Sequence, residues 1–484
     1  MALSLGVRTL VEALGLAACV WPLVARAGPP GSPPTDPDAI REAASFDEGG
    51  PGSFASSEAY RDYLMGALAA DRGDPSAAIE RYRKVLALDP EATHVRVRMG
   101  QAFAALGSAD RAEESLREAT ARDPRSAEAH AALGELLLGR LRSAGRQAET
   151  RVEIGPACAR VNLFDQAIAQ LDRAIELQPG ASRWRYDRGV VELDLGRAGA
   201  AAADLAAVPL DDDLYVDAQA RRGAALEEAG RPVEAEAGLL AALRQRPGAA
   251  ALYVALAQLY VDEGKGTLAV ALLEGARARV ANDAGAASIA TALAGAYEAV
   301  GRGGAAIDLL RQLLTAEPAN EAVLLALAGT LDRQGHAREA MSLAQQALDR
   351  DPRDALALNF LGFTLAERGE RLADAERLTD LAVQIQPDNG LIVDSLGWVY
   401  FKRGKLPLAL RTLRRAVALS PGEPVILEHL GDACIGSGEL GEGAASYRAA
   451  LAALGQSGPA PLRKELEQRL REAEGRIASL SGSP

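Results

Sequence analysis

The chain predicts an all-α solenoid of about eleven stacked helical hairpins with a capping helix at its C-terminal end. Three observations carry this: a period of about 34 residues from Ala59 to about Gln456, Gly or Ala at two fixed places in each period, and a proline closing most periods. Composition agrees. Aromatics make up only 4% of the 484 residues, which suits close helix packing better than sheets of β-branched and aromatic side chains.

Residues 1–27 read as an export signal. Arg8 precedes an apolar stretch from Ala13 to Val24, and Ala25-Arg26-Ala27 gives a small-x-small cleavage pattern before Gly28. A competing reading takes Leu16-Ala17-Ala18-Cys19 as a bacterial lipobox, with Cys19 as the candidate for lipidation. Val20 to Val24 extends the apolar run past Cys19, which favours cleavage after Ala27. An uncleaved N-terminal helix is the third alternative. The sequence therefore predicts an exported chain, periplasmic or an outer-membrane lipoprotein, and a cytoplasmic one if the segment is retained. Elsewhere no run of some 18 apolar residues is long enough to span a bilayer.

Residues 28–58 are rich in Pro, Gly and Ser and read as a tether without helical periodicity. The array follows, over 59–456. Its first unit places Met65, Gly66, Ala69, Ala78, Tyr82, Val85 and Pro90 at places seven, eight, eleven, twenty, twenty-four, twenty-seven and thirty-two. The second repeats the frame with Met99-Gly100, Phe103, Ala112, Leu116, Ala119 and Pro124, and Leu327-Ala328, Leu361-Gly362, Leu396-Gly397 and Leu430-Gly431 mark later units. Small residues at places eight and twenty let two helices approach, large ones fill between them, and the proline ends the second helix. One hairpin buries too little to offset its ordering entropy, so stability comes from stacking on neighbours.

Departures from the period are informative. The third unit reaches its second-helix residues about 21 places late, an insertion at about 141–160. The fourth unit, Ser182 to Asp213, is degenerate, and the ninth has one extra residue in its turn. Residues 457–484 hold a polar amphipathic helix suited to covering the end of a solenoid.

The recurring order W-x2-L-G-x2-Y, A-x3-F, A and P resembles the tetratricopeptide repeat family over most of the chain. The resemblance implies a right-handed α-α superhelix that binds protein or peptide partners on its concave face. In this family that face is lined by places two, five, nine and twelve of each first helix. Here those places give Asn359, Phe363, Asp394, Trp398 and Phe401, then Tyr60 and Tyr63, and Arg183 and Tyr186, as candidate partner-binding residues. The alternative is that these side chains pack between adjacent first helices. The Lys/Asn clamp by which some members grip chaperone tails is missing, since its places read Tyr63 and Ala67, Val97 and Gln101, Asn359 and Phe363. Residues 358–378, LNFLGFTLAERGERLADAERL, and 388–410, DNGLIVDSLGWVYFKRGKLPLAL, make the last third of the chain resemble proteobacterial envelope repeat proteins, including outer-membrane lipoproteins that serve as adaptors for periplasmic C-terminal processing proteases.

No arrangement for catalysis is recognisable. His94, His130, His336 and His429 sit in separate units, and Cys19, Cys158 and Cys434 form no metal-ligand spacing, so no cofactor or metal is expected. Gly301-Arg302-Gly303-Gly304 falls at a hairpin turn and has no strand before it, unlike a phosphate loop. A formal charge of −13 without basic runs argues against nucleic acid. The sequence predicts a non-enzymatic scaffold or adaptor of the bacterial cell envelope, with a structural subunit of an envelope or secretion complex as the alternative. A lipid anchor would be its sole membrane contact.

Overall fold

The computed structural model describes residues 54, 56–147, 157–277, 279–280, 283–420, 422–454 and 460–481. Among these there are 23 α-helices and no strands. They pair in chain order: α1 (Ser57–Asp71) with α2 (Pro75–Leu88), α3 (Thr93–Ala105) with α4 (Ala109–Arg122), α5 (Ala127–Gln147) with α6 (Ala157–Leu177), and α7 (Ser182–Asp194) with α8 (Ala198–Ala206). Next come α9 (Tyr215–Glu228) with α10 (Pro232–Gln245), α11 (Ala250–Asp262) with α12 (Gly266–Ala276), and α13 (Asp283–Ala299) with α14 (Gly303–Ala316). The series continues with α15 (Glu321–Arg333) and α16 (Ala337–Arg350), α17 (Ala355–Glu367) and α18 (Leu372–Ile385), α19 (Gly390–Lys402) and α20 (Leu406–Leu419), and α21 (Pro424–Ser437) and α22 (Leu440–Ala453). α23 (Ala460–Ser481) ends the array. The chain forms two compact units, one ending at Ala218 and the other starting at Gln219.

The hairpins are the ones the period predicts, and local chemistry explains their limits. Ten of the eleven first helices stop at a glycine in the left-handed region, such as Gly73 at φ 74° and Gly301 at φ 75°, which donates its N–H back to the helix it ends. Gly301 is thus a turn residue. Asp74 caps α2 by accepting from Ala77 N–H at 2.9 Å, and Asp354 caps α17 by accepting from Leu356 N–H at 2.9 Å. Glycine at place eight is required by contact: a Cβ on Gly431 would lie 2.4 Å from Tyr447 Cε1, and one on Gly397 would lie 2.7 Å from Leu413 Cγ.

The irregular units keep the same plan. Residues inserted in the third unit lengthen both of its helices, α5 and α6, to 21 residues each. In the fourth, α8 is only 9 residues long, and Leu205, Val208 and Ala218 form the local core beside it. The extra residue of the ninth unit leaves Arg371 at φ 46°, the one left-handed non-glycine residue among those described. α23 caps the last hairpin by burying Leu462, Leu466 and Ala473 against Leu427, Ala444, Tyr447 and Ala450. Arg469 fastens it to α21 with contacts of 2.9 Å to Glu428 and 2.7 Å to Asp432.

Within each unit, successive first helices also touch one another directly, as α3 does with α5, α11 with α13 and α17 with α19. Most second helices instead meet their own partner and the first helix of the next hairpin. The first helices therefore form one row along a face of hairpins one to three, in the first unit, and another along hairpins six to eleven, in the second.

Candidate functional site on the first-helix face

The most elaborate part of that face lies on α17, α19 and α21. Asn359, Asp394 and Glu428 hold the fifth place of these three helices, and all are buried, at 0%, 0% and 2% exposure. Asp394 is paired: His429 Nδ1 lies 2.8 Å from its Oδ2. Burial raises the Asp394 carboxyl above its usual 3.8, against the opposing pull of His429. Burial alone would lower the His429 imidazole, but the Asp394 carboxylate overrides it and the net direction is upward. Both side chains are enclosed by the fold, His429 at 2% exposure and Asp394 at 0%.

Trp398 closes this environment. Its ring stacks on Phe401 with centroids 5.0 Å apart and on His429 at 4.1 Å, and its indole N–H donates to Glu367. Lys402 Nζ lies 4.8 Å from the indole centroid and 3.2 Å from Glu367. Phe363, Trp398 and Val425 form one apolar cluster, with Leu391 and Phe401 at its edge.

Four of the five C-terminal candidates, Asn359, Phe363, Asp394 and Trp398, therefore pack in the seam between first helices rather than opening to a groove. Their environment explains it: each first helix lies directly on the next, so the fifth and ninth places meet the neighbouring helix before they meet solvent. Phe401 remains partly exposed beside Lys402. Polar side chains in this seam are incompletely paired. Neither the Oδ1 nor the Nδ2 of Asn359 has a hydrogen-bond partner among the described residues, and Asp394 Oδ1 and Thr364 Oγ1 also lack one.

The N-terminal candidates gather separately. Tyr60 and Tyr63 are partly exposed on α1, and Phe54 inserts beside them, 5.6 Å from Tyr60 and 5.0 Å from Tyr63 between centroids. His94 completes the group at 5.0 Å from Phe54 and 5.6 Å from Tyr63, its pKa lowered by burial. On α7, Arg183 is exposed and its Nε lies 2.8 Å from Asp187, while the Tyr186 hydroxyl donates to Asp217. Tyr186 is thus committed within the fold. Cys19 lies outside the described residues.

Two members of the site escaped the sequence reading. His429, one of four histidines in separate units, is 2% exposed and is the partner of Asp394. A signal existed, since His429 stands 35 residues after Asp394, one period further and one place on. Phe54 falls within the stretch 28–58 that lacks helical periodicity, so nothing in the repeat pattern marks it.

A geometric metal-like group, Cys434 with Glu439 and Glu442, has little to offer a cation. Arg414 engages both carboxylates, with Nη2 2.7 Å from Glu442 Oε2, and burial pushes the Cys434 thiol up to about 12. No helix among the described residues is long and apolar enough to cross a membrane.

Two tetratricopeptide repeat models match the chain, one at residues 69–136 and 298–362 and the other at 152–215 and 395–459, together more than half its length. The chain belongs to the tetratricopeptide repeat family. This tetratricopeptide repeat protein is 40% identical over 70 residues to the TPR repeat-containing protein PA4667 of Pseudomonas aeruginosa, a match covering 14% of this chain and 12% of that protein. Similar solved structures include yeast Tom70, with 13% identity, coverage of 87% of this chain and 96% of that one, and a TM-score of 0.44. A tetratricopeptide repeat protein from Parabacteroides merdae has 17% identity, coverage of 54% and 98%, and a TM-score of 0.40. Family membership implies a scaffold for protein–protein interaction.

Proposed function

We propose that this chain is a non-enzymatic adaptor of the bacterial cell envelope that holds protein or peptide partners along its first-helix face. The observation that supports this best is the side-by-side packing of first helices within each unit, which leaves Tyr60 and Tyr63 partly exposed and Arg183 exposed in one unit, and Phe401 partly exposed in the other. Exposed aromatic and arginine side chains suit capture of a protein or peptide partner. The envelope location rests on the N-terminal apolar stretch with its Ala27 and Cys19 alternatives. A structural subunit with its outer face permanently covered is less well supported. The exposed large apolar residues of the outer helices near the middle of the chain, Val233, Leu240 and Leu268, are too sparse for a buried wall.

The test combines two readouts on the full chain expressed in a Gram-negative bacterium. Intact mass gives the mature N-terminus, and a photo-crosslinking residue at Phe401 or Tyr63 is compared with one at Val233. A start at Gly28 or a lipidated Cys19, with partner adducts from the first-helix positions alone, supports the proposal. An unprocessed Met1 defeats the envelope assignment. Adducts confined to Val233 defeat the assignment of the binding face.

A further inference from the structure

Phe54 lies outside any helix, two residues before the Ser56 that caps α1 by accepting from Ala59 N–H at 3.1 Å. An apolar side chain just ahead of a cap ordinarily staples to the fourth residue of the helix it precedes, here Tyr60. Phe54 reaches further. Its ring centroid is 5.0 Å from that of Tyr63, a turn along α1, and 5.0 Å from that of His94 on α3, the first helix of the next hairpin. Tyr60 and Tyr63 hold places two and five of the first unit and His94 holds place two of the second, places that line the concave face in this family.

The ring does not act as an end cap. The side of α1 that a preceding hairpin would cover carries Leu64, Met65 and Leu68 at places six, seven and ten, and these stay 47%, 45% and 38% exposed. The same places of the tenth unit, Ser395, Leu396 and Val399, are buried where α17 and α18 pack on α19. Phe54 leaves that stripe bare and sits on the adjoining one, across two hairpins. Its fit there is imperfect. His94 Nε2 is buried with no hydrogen-bond partner among the described residues, and the Phe54 ring packs edge-on against that imidazole, their planes 77° apart. A buried nitrogen left unpaired weakens the closed arrangement and favours release of the ring.

We propose that Tyr60, Tyr63 and His94 form a pocket for an aromatic side chain of an extended partner segment, and that Phe54 occupies it as an internal competitor. The proposal rests on the reading of the first-helix face as the partner surface, and adds to it a ligand class and the contact that holds the site closed. The occupant supplies the chemistry. Its ring is tilted at 47° and 41° to the two tyrosines and edge-on to the imidazole, an arrangement of ring quadrupoles that an aliphatic side chain does not reproduce. Because Phe54 is tethered, it competes at an effective concentration on the order of millimolar, so a partner prevails by adding contacts further along the face.

The test uses the full chain, with the end-blocked peptide PGSFASS, the sequence of residues 51–57, as probe. Phe54→Ala should bind it about tenfold more tightly than the wild type, because no fraction of the pocket is then closed, and Phe54→Tyr should behave as the wild type does. The same peptide with alanine in place of its phenylalanine should bind neither protein. On the unaltered fold, para-fluorophenylalanine at position 54 should show its fluorine resonance moving toward the free-solution position as PGSFASS is added, a result independent of how the alanine variant folds. Equal affinity of Phe54→Ala and wild type, or a fluorine resonance that millimolar PGSFASS leaves in place, overturns the proposal. A leucine-containing peptide that binds as well as PGSFASS overturns the aromatic assignment. In cells, partner adducts from a photo-crosslinking residue at Gln101, exposed at place nine of α3, should rise on Phe54→Ala. Adducts that Phe54→Ala leaves unchanged overturn the competitor while the first-helix reading stands. Capture of PGSFASS by Phe54→Ala without adducts from any first helix supports the pocket and defeats that reading instead.

Discussion

The imidazole of His429 lies nearly parallel to the indole of Trp398, their planes 16° apart and their centroids separated by 4.1 Å, while its Nδ1 faces Asp394. Both members of the His429–Asp394 pair are buried, so either left alone is an uncompensated polar or charged group. His429→Leu and Asp394→Ala should each destabilise α19–α21 by about 3 kcal/mol. The double variant should cost clearly less than the sum, with a coupling of about 1–3 kcal/mol, read from local opening in native-state hydrogen exchange. Additive effects would show that the pair is not coupled.

Acidification should stabilise the unit that begins at Gln219. His429 has a folded pKa above its usual 6.5, so its contribution is complete below 6.5 and is lost as pH rises through the folded value. Asp394 is raised by burial, and Glu227 is pushed up to about 7 by burial and by the carboxylates of Asp262 and Glu263. For both, the folded state retains a proton that the unfolded chain releases, so stability again falls as pH rises from the usual carboxylate range. Local opening energies at α9 and α19–α21 should therefore increase between pH 8 and pH 5.5. A fall over that range would contradict the assigned directions.

Asn359→Leu should raise stability, by on the order of 1 kcal/mol. The Asn359 carboxamide is fully buried with neither polar atom paired among the described residues. Leucine is close in volume and leaves nothing to desolvate. Protection of α17 and the melting temperature measure the gain; a loss would reveal a partner for the amide that the geometry does not contain.

Two glycine replacements should act in opposite directions. A Cβ at Gly362 would sit 2.7 Å from Thr379 Cγ2 and 3.0 Å from the carbonyl oxygen of Ala375, and backbone cannot move aside cheaply. Gly362→Ala should cost about 1–3 kcal/mol. Gly475, exposed within α23, has nothing within 4 Å of its Cβ position, so Gly475→Ala should stabilise by roughly 0.5–1 kcal/mol. Thermal denaturation of the two variants checks both signs.

The fold was legible because its rules are local and repeated. Gly66, Gly397 and Gly431 recur in one frame since each faces a large side chain of its partner helix, so a single chain shows the constraint many times over. The site was less legible. Places five and nine carry the same residue types whether they line a groove or fill a seam, and the deciding quantity is how closely neighbouring first helices approach, which no single unit encodes. Trp398 and Phe363 looked like anchors for a partner, and their anchor is the adjacent hairpin. His429 was overlooked because its significance depends on Asp394, one full repeat away.

The lengthened third hairpin has a practical meaning. α5 and α6 pack on each other along their shared core of Leu133, Leu137, Ala167 and Leu171, about ten or more residues along each helix from the join between Gln147 and Ala157. Their association does not depend on that join. A chain opened between Gln147 and Ala157 would present two fragments with complementary cohesive ends, so this hairpin is where the protein would tolerate being split, permuted or made to carry a passenger domain.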